Sequence, residues 1–144
     1  MSPKWVFLCG VTLSGLGVAL GAFGAHGLKE VLPKWYVDPE IASARLENWE
    51  TGVRYQLFHG IALILVGLAL LKSNQFFLRG SSVCLTLGSL VFSGSLYLLV
   101  LSGQTYWGAI TPLGGLLLLL AWVLAGVGYW RLASSNPADA PPCP

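Results

Sequence analysis

Two histidines, His26 and His59, are the residues in this chain best suited to chemistry. An imidazole exchanges a proton near neutral pH and is a common metal ligand. His59 follows Tyr55 and Gln56 within about one helical turn, and Glu47, Glu50 and Arg54 lie just upstream. His26, Tyr55, Gln56 and His59 are therefore expected to form one polar cluster near a membrane surface. Three roles are open to it: a structural network tying a loop to the helices, a ligand or proton site titrating through His59, or a metal or haem site. Two histidines and a glutamate make only part of a metal shell, at a spacing that fits no known motif. Haem would need axial ligands on opposing sides, and nothing in the spacing argues for that geometry. The expectation is a structural network, with no metal and no cofactor.

A second set of polar groups is Ser82, Thr86, Ser89 and Ser93, spaced to share one helix face. Such hydroxyls are expected to hydrogen-bond between helices. A conducting pathway would need acidic or basic groups at depth, and the apolar runs carry none. The sequence shows no glycine-rich phosphate loop, no serine–histidine–aspartate order and no paired carboxylates within a run. No catalytic residue is assigned, and the chain is expected not to be an enzyme.

The elements that must position these groups are membrane spans. Gly80 to Trp130 contains no Asp, Glu, Lys or Arg over 51 residues. A helix of that length would reach roughly 75 Å, against a hydrocarbon core of about 30 Å. The run therefore reads as two crossings with a turn at Gly103–Ala109. Trp5 to Ala25 is uncharged for 21 residues, and Tyr55 to Leu71 for 17. The first is too long for the apolar stretch of a signal peptide, although Ala22-Phe23-Gly24 mimics a cleavage site. Only 10% of the chain is charged, too little to clothe four soluble helices.

The fold class expected is an all-α integral membrane four-helix bundle, with an amphipathic outer segment between the first two spans. Residues 1–132 form one transmembrane domain, with spans at about 5–25, 55–71, 80–101 and 112–130. Residues 133–144 are expected to be a disordered cytoplasmic tail. Pro33 and Asp38-Pro39 should break the segment after His26, and Ile41, Arg45, Trp49 and Val53 should then line a helix that merges into the second span. Thr111 and Pro112 read as N-cap and first residue of the last helix. Lys4, Lys72, Arg79 and Arg131 fall on one side, so both termini are expected in the cytoplasm. Cys9, Cys84 and Cys143 have neither disulfide nor zinc spacing. A net charge of +2 gives no reason to expect nucleic acid.

Small residues mark the expected packing positions: Gly17, Gly21 and Gly24 on the first span, Ser89 and Ser93 on the third, Gly114 and Gly115 on the fourth. They let helix backbones approach closely in lipid. Membrane lipid is one expected partner; another membrane protein, or a second copy of the chain, is the other.

Four blocks carry a family resemblance. They are Gly21-Ala22-Phe23-Gly24-Ala25-His26; Trp49 with Thr51-Gly52-Val53 and Tyr55-Gln56-Leu57-Phe58-His59; Phe92-Ser93-Gly94-Ser95-Leu96-Tyr97; and Thr111-Pro112-Leu113-Gly114-Gly115. In this order they resemble the YgdD-like family of small membrane proteins, a bacterial domain-of-unknown-function family, and are similar to a small transmembrane protein of animals. The resemblance covers about Trp5 to Trp130 and implies a four-helix inner-membrane protein. It supplies no activity, ligand or catalytic residue. The chain departs from the family in a longer loop around Val31–Asn48 and in a tail without a basic cluster. The resulting expectation is a non-enzymatic structural or accessory membrane protein; the alternative is a small-molecule or proton-conducting protein using the histidine cluster.

Overall fold

The computed structural model describes residues 2–72 and 75–134. Of the expected tail, 133–144, Ala133 and Ser134 instead continue the last helix, and the part from residue 135 onward lies outside the described residues. Helix α1 (Pro3–Phe23) starts with Pro3 in its first turn, where a missing N–H is harmless. It runs through a π-helical turn, Gly24–Leu28, into α2 (Lys29–Trp35). Tyr36 then turns extended. Helix α3 (Pro39–Lys72) follows, capped by Asp38, whose Oδ1 accepts the Glu40 N–H at 2.9 Å. Helices α4 (Phe76–Ser102) and α5 (Trp107–Ser134) complete the chain. Gly103, which ends α4, has φ +72°, a conformation that favours glycine.

The structure bears out an all-α fold with four helices long and apolar enough to cross a membrane. They run up and down in sequence, and pack as a row. Helix α1 lies on α3, α3 on α4, and α4 on α5; among the described residues no comparable interface joins α1 to α5. The two central helices are accordingly the more buried, and α1 and α5 are the edges. One core cluster, with Val6, Leu63, Leu78, Leu85 and Leu118, fills the end where α1 begins and α5 ends. We call this the terminal end. A second, with Leu28, Leu32, Trp49, Leu99 and Val100, fills the distal end beneath α2.

Three local expectations change. Pro33 does not break the chain: it lies inside α2, just after the π turn has already loosened the backbone ladder. Thr111 and Pro112 do not start the last helix, which begins one turn earlier at Trp107. Thr111 Oγ1 pairs with Ser95 Oγ at 2.8 Å instead of capping. The stretch of α3 packed along the uncharged run of α1 does not begin at Tyr55. A Cβ on Gly24 would lie 2.6 Å from Trp49, and one on Gly67 would lie 2.9 Å from the Phe7 backbone. The part of α3 that accompanies the uncharged run of α1 therefore begins near Trp49 and takes in Glu50 and Arg54.

Candidate functional site

Gln56 sits at the centre of the polar groups. It is 5% exposed and reaches two neighbouring helices. Its Nε2 donates to the Leu13 carbonyl of α1 at 2.9 Å. Its Oε1 accepts from Tyr97 Oη of α4 at 2.9 Å. The approach to α1 is close because Gly17 has no side chain: a Cβ there would lie 2.8 Å from Leu57. Trp49 sits two turns above, with its ring 4.6 Å from that of Tyr97. Its Nε1 donates to the Leu20 carbonyl at 2.9 Å, which also accepts the Gly24 N–H where α1 passes into the π turn. Ser93 Oγ donates to the Gly52 carbonyl at 2.7 Å. Helices α1, α3 and α4 are thus stitched by side chains donating to backbone oxygens.

His59, about one turn further along α3, joins a different helix. Trp122 Nε1 of α5 donates to His59 Nε2 at 3.2 Å, and His59 Nδ1 lies 2.7 Å from the Tyr55 carbonyl. An indole N–H can only donate and a carbonyl can only accept. These partners assign the proton to Nδ1 and leave the ring neutral, with both nitrogens engaged. Tyr55 stacks on Phe92 with centroids 4.2 Å apart, so the group is an aromatic joint between α3, α4 and α5.

Of the four residues expected to cluster, Tyr55 and His59 meet, with ring centroids 5.7 Å apart, while Gln56 and His26 stand apart from them. Gln56 and His59 are both buried but bond to different helices, Gln56 to α1 and α4 and His59 to α5; Tyr55 is 39% exposed, and His26 is exposed on the π turn. A Cβ on Gly60, next to His59, would lie 2.5 Å from Ser14 Oγ. His26 is twelve residues further along the same helix, roughly 18 Å away. Leu13, Phe92 and Trp122 each lie near the middle of an uncharged run. Gln56 and His59 therefore lie beside the middles of these runs, not at their ends.

The packing positions fare differently. Gly17 and Gly24 face α3 closely, Gly21 lies against Val53, and a Cβ on Gly114 would run into the Phe92 backbone. A Cβ on Gly115 would meet only ordinary contact with the Phe92 ring, 3.8 Å away. Ser89 is buried without a hydrogen-bond partner, as is Ser14 Oγ. Ser82 and Thr86 bond to their own helix, to the Arg79 and Ser82 carbonyls. Of the expected stripe only Ser93 bridges helices; Ser81, which donates to the Ala121 carbonyl at 2.8 Å, does so from outside the stripe. Among the described residues no three His, Cys, Asp or Glu side chains gather as metal ligands would.

Sequence reasoning missed Arg45, which is 9% exposed. Its Nη1 donates to the Leu99 carbonyl at 2.8 Å and its Nη2 to the Gly103 carbonyl at 3.1 Å. A cation there adds a second donor to the Leu99 carbonyl, which already takes the Gly103 N–H, supplies one to the Gly103 carbonyl, and faces the negative end of the α4 dipole. Tyr36 stacks under the guanidinium at 5.4 Å and donates to the Val100 carbonyl at 3.3 Å. The signal was the arginine's place in the row with Trp49 and Val53, an expensive position for a charge without internal acceptors. Trp122 and Tyr97 carried no such signal, because each is an ordinary apolar aromatic in an apolar run.

A family model described as "Protein of unknown function (DUF423)" matches residues 20–115, which hold most of these contacts. A UPF0382 membrane protein of Haemophilus influenzae is 40% identical over 136 residues, 93% of this chain and 99% of that protein. The UPF0382 inner membrane protein YgdD of Escherichia coli K12 is 36% identical over 133 residues, covering 92% of this chain and 94% of its own. A UPF0382 membrane protein of Staphylococcus haemolyticus is 36% identical over 128 residues, 89% of this chain and 97% of that one. No solved structure matches.

Proposed function

We propose that this chain, which belongs to the DUF423 family of membrane proteins of unknown function, is a non-enzymatic structural or accessory protein of the inner membrane. It acts by contact with another membrane protein or with copies of itself. One observation carries the reading: the polar side chains that reach between its spans are engaged in holding those spans together. Gln56, Trp49, Ser81 and Ser93 donate to backbone carbonyls of neighbouring helices, and His59 has both nitrogens engaged. What faces outward on the edge helices is apolar, including Val11, Val18, Leu116 and Val123. Passage of protons or a small molecule through the histidine region is less well supported, since a proton arriving at His59 must first displace the Trp122 bond.

Lys4, Lys72, Arg79 and Arg131 lie toward the terminal end, so the positive-inside rule puts that end, with both termini, in the cytoplasm. The test is site-specific photocrosslinking in cells from Val11 and Val18 on α1 and from Leu116 and Val123 on α5. The expected result is a protein adduct of fixed mass from one edge, lost when Gly15→Leu or Gly126→Leu adds bulk to that edge. A chain that yields no protein adduct from either edge, and is monomeric in mild detergent, refutes the reading.

A further inference from the structure

At the distal end a groove of about 220 Å³ runs between α1 and α3, lined by Gly21, Ala25, Trp49, Glu50, Val53, Arg54 and Leu57. Gly21 and Ala25 thin its α1 wall, and Val53 and Leu57 form an apolar floor. Beside it Phe23, Phe58 and Ile61 are exposed, so the groove opens where acyl chains lie. Glu50 and Arg54 sit on its α3 side, four residues apart and therefore on one face. Both are exposed, and among the described residues neither side chain makes a hydrogen bond or ion pair.

The depth of these charges is set by α1. Glu50 is level with Gly24, whose nearest neighbour is Trp49, and Arg54 is level with Gly21, whose neighbour is Val53. These are the last turns of the uncharged run that ends at Ala25, where a bilayer's hydrocarbon gives way to headgroups. Side chains of a helix lean toward its N-terminus, which for α3 is the distal, headgroup side. The Arg54 guanidinium therefore snorkels outward to the glycerol–phosphate level, and the Glu50 carboxylate lies about one turn, or 5–6 Å, further out. From the surface inward, the α3 stripe reads acid at Glu50, base at Arg54, then apolar at Leu57 and Ile61.

We propose that this groove holds a phospholipid with an ethanolamine headgroup, its phosphate on Arg54, its ammonium on Glu50 and an acyl chain along Leu57 and Ile61. The occupant follows from the order of charges. A phosphodiester attached to glycerol lies deeper than the amine it carries, which is the order of base and acid here. Ethanolamine presents N–H donors that a carboxylate accepts; choline has none, and a glycerol headgroup has no positive charge for Glu50. An arginine fork suits a phosphate. Val18, tested above, shares the α1 stripe of Gly21 and Ala25, but the site is read by lipid retention and the contact role by a protein adduct, so the failure of one is distinguishable from the failure of the other.

Native mass spectrometry of the full chain in a mild detergent tests this, with added dioleoyl phospholipids bearing ethanolamine, choline or glycerol headgroups. The ethanolamine lipid should be retained over the other two by about tenfold, a ratio within reach of one charge-assisted hydrogen bond. Arg54→Gln should weaken retention of the ethanolamine and choline lipids alike. Glu50→Gln should remove the preference for ethanolamine over choline. The double exchange Glu50→Arg with Arg54→Glu keeps net charge but reverses the order, and should abolish the preference. The proposal is overturned if the unaltered chain shows no headgroup preference, if the glycerol lipid leads, or if the exchanged chain binds as the unaltered one does. Both positions are exposed, so the single glutamine variants decide the matter should the double exchange fail to fold.

Discussion

Replacing Tyr97 by Phe and Gln56 by Leu, singly and together, tests whether mid-depth polar contacts hold the helices in register. In the folded chain Tyr97 Oη donates to Gln56 Oε1 at 2.9 Å, and Gln56 Nε2 donates to the Leu13 carbonyl at 2.9 Å. Tyr97→Phe removes one hydroxyl and leaves a buried amide oxygen without a donor, at an expected loss of about 1–2 kcal/mol. Gln56→Leu removes both bonds and strands the Tyr97 hydroxyl, while the Leu13 carbonyl keeps its place in α1's own ladder. In the double variant the hydroxyl is gone too, so part of that loss is recovered. The coupling between the two sites should be about 1 kcal/mol, within the roughly 0.6–2 kcal/mol found for hydrogen bonds between membrane helices. Unfolding of the purified chain by dodecyl sulfate in mild detergent supplies the measurement. Trp49, whose ring lies 4.6 Å from Tyr97, is the natural fluorescent reporter. A coupling below about 0.3 kcal/mol, the level at which independent sites already scatter, would show that the bond contributes nothing and would refute the argument.

Two further substitutions probe other joints by the same unfolding assay. Gly114→Ala should destabilise by about 1–3 kcal/mol, because the new methyl meets the Phe92 backbone, which cannot rotate aside as a side chain can. Gly15→Ala and Gly126→Ala, where nothing lies within 4 Å of a Cβ, should be neutral or slightly stabilising; equal effects at all three positions would rule out close packing as the cause. Arg45→Met should strip the Leu99 and Gly103 carbonyls of their cationic donor and cost about 1.5–3 kcal/mol. Proteolysis near Gly103–Tyr106 should quicken while the terminal end stays protected, and uniform quickening would argue against a local latch.

The four crossings were legible because lipid imposes a demand that composition alone can meet. A run of 51 uncharged residues admits few alternatives to two spanning helices. Gly17, Gly24 and Gly114 were legible for a related reason: small residues at helical spacing serve backbone approach in lipid. The partners of those helices were not legible. Ser82 and Ser81 are neighbours of the same type, yet one bonds to its own helix and the other to Ala121. Which neighbour reaches across depends on rotation about the helix axis, and an apolar run with no polar face leaves that rotation unmarked. The pairing of His59 with Trp122 was hidden in the same way.

The depth of the histidine was misjudged for a physical reason. Taking Arg54 as the membrane edge leaves a span of 17 residues, about 26 Å, short of the hydrocarbon thickness. A helix can carry an arginine past that edge if the side chain leans outward along the lipid face, which the exposed position of Arg54, one turn below Glu50, permits. Correcting the edge moves Gln56 and His59 from the surface to the middle of the row. At the surface, water could satisfy them and a ligand could reach them. At mid-depth each must find its partners within the protein, and the partners found are the backbone and aromatic groups of the adjoining helices. The same shift brings Glu50 and Arg54 to the headgroup level beside a groove, with partners left to find outside the chain. The charged groups that the sequence presents as a boundary are thus better placed to meet another molecule than the histidines are.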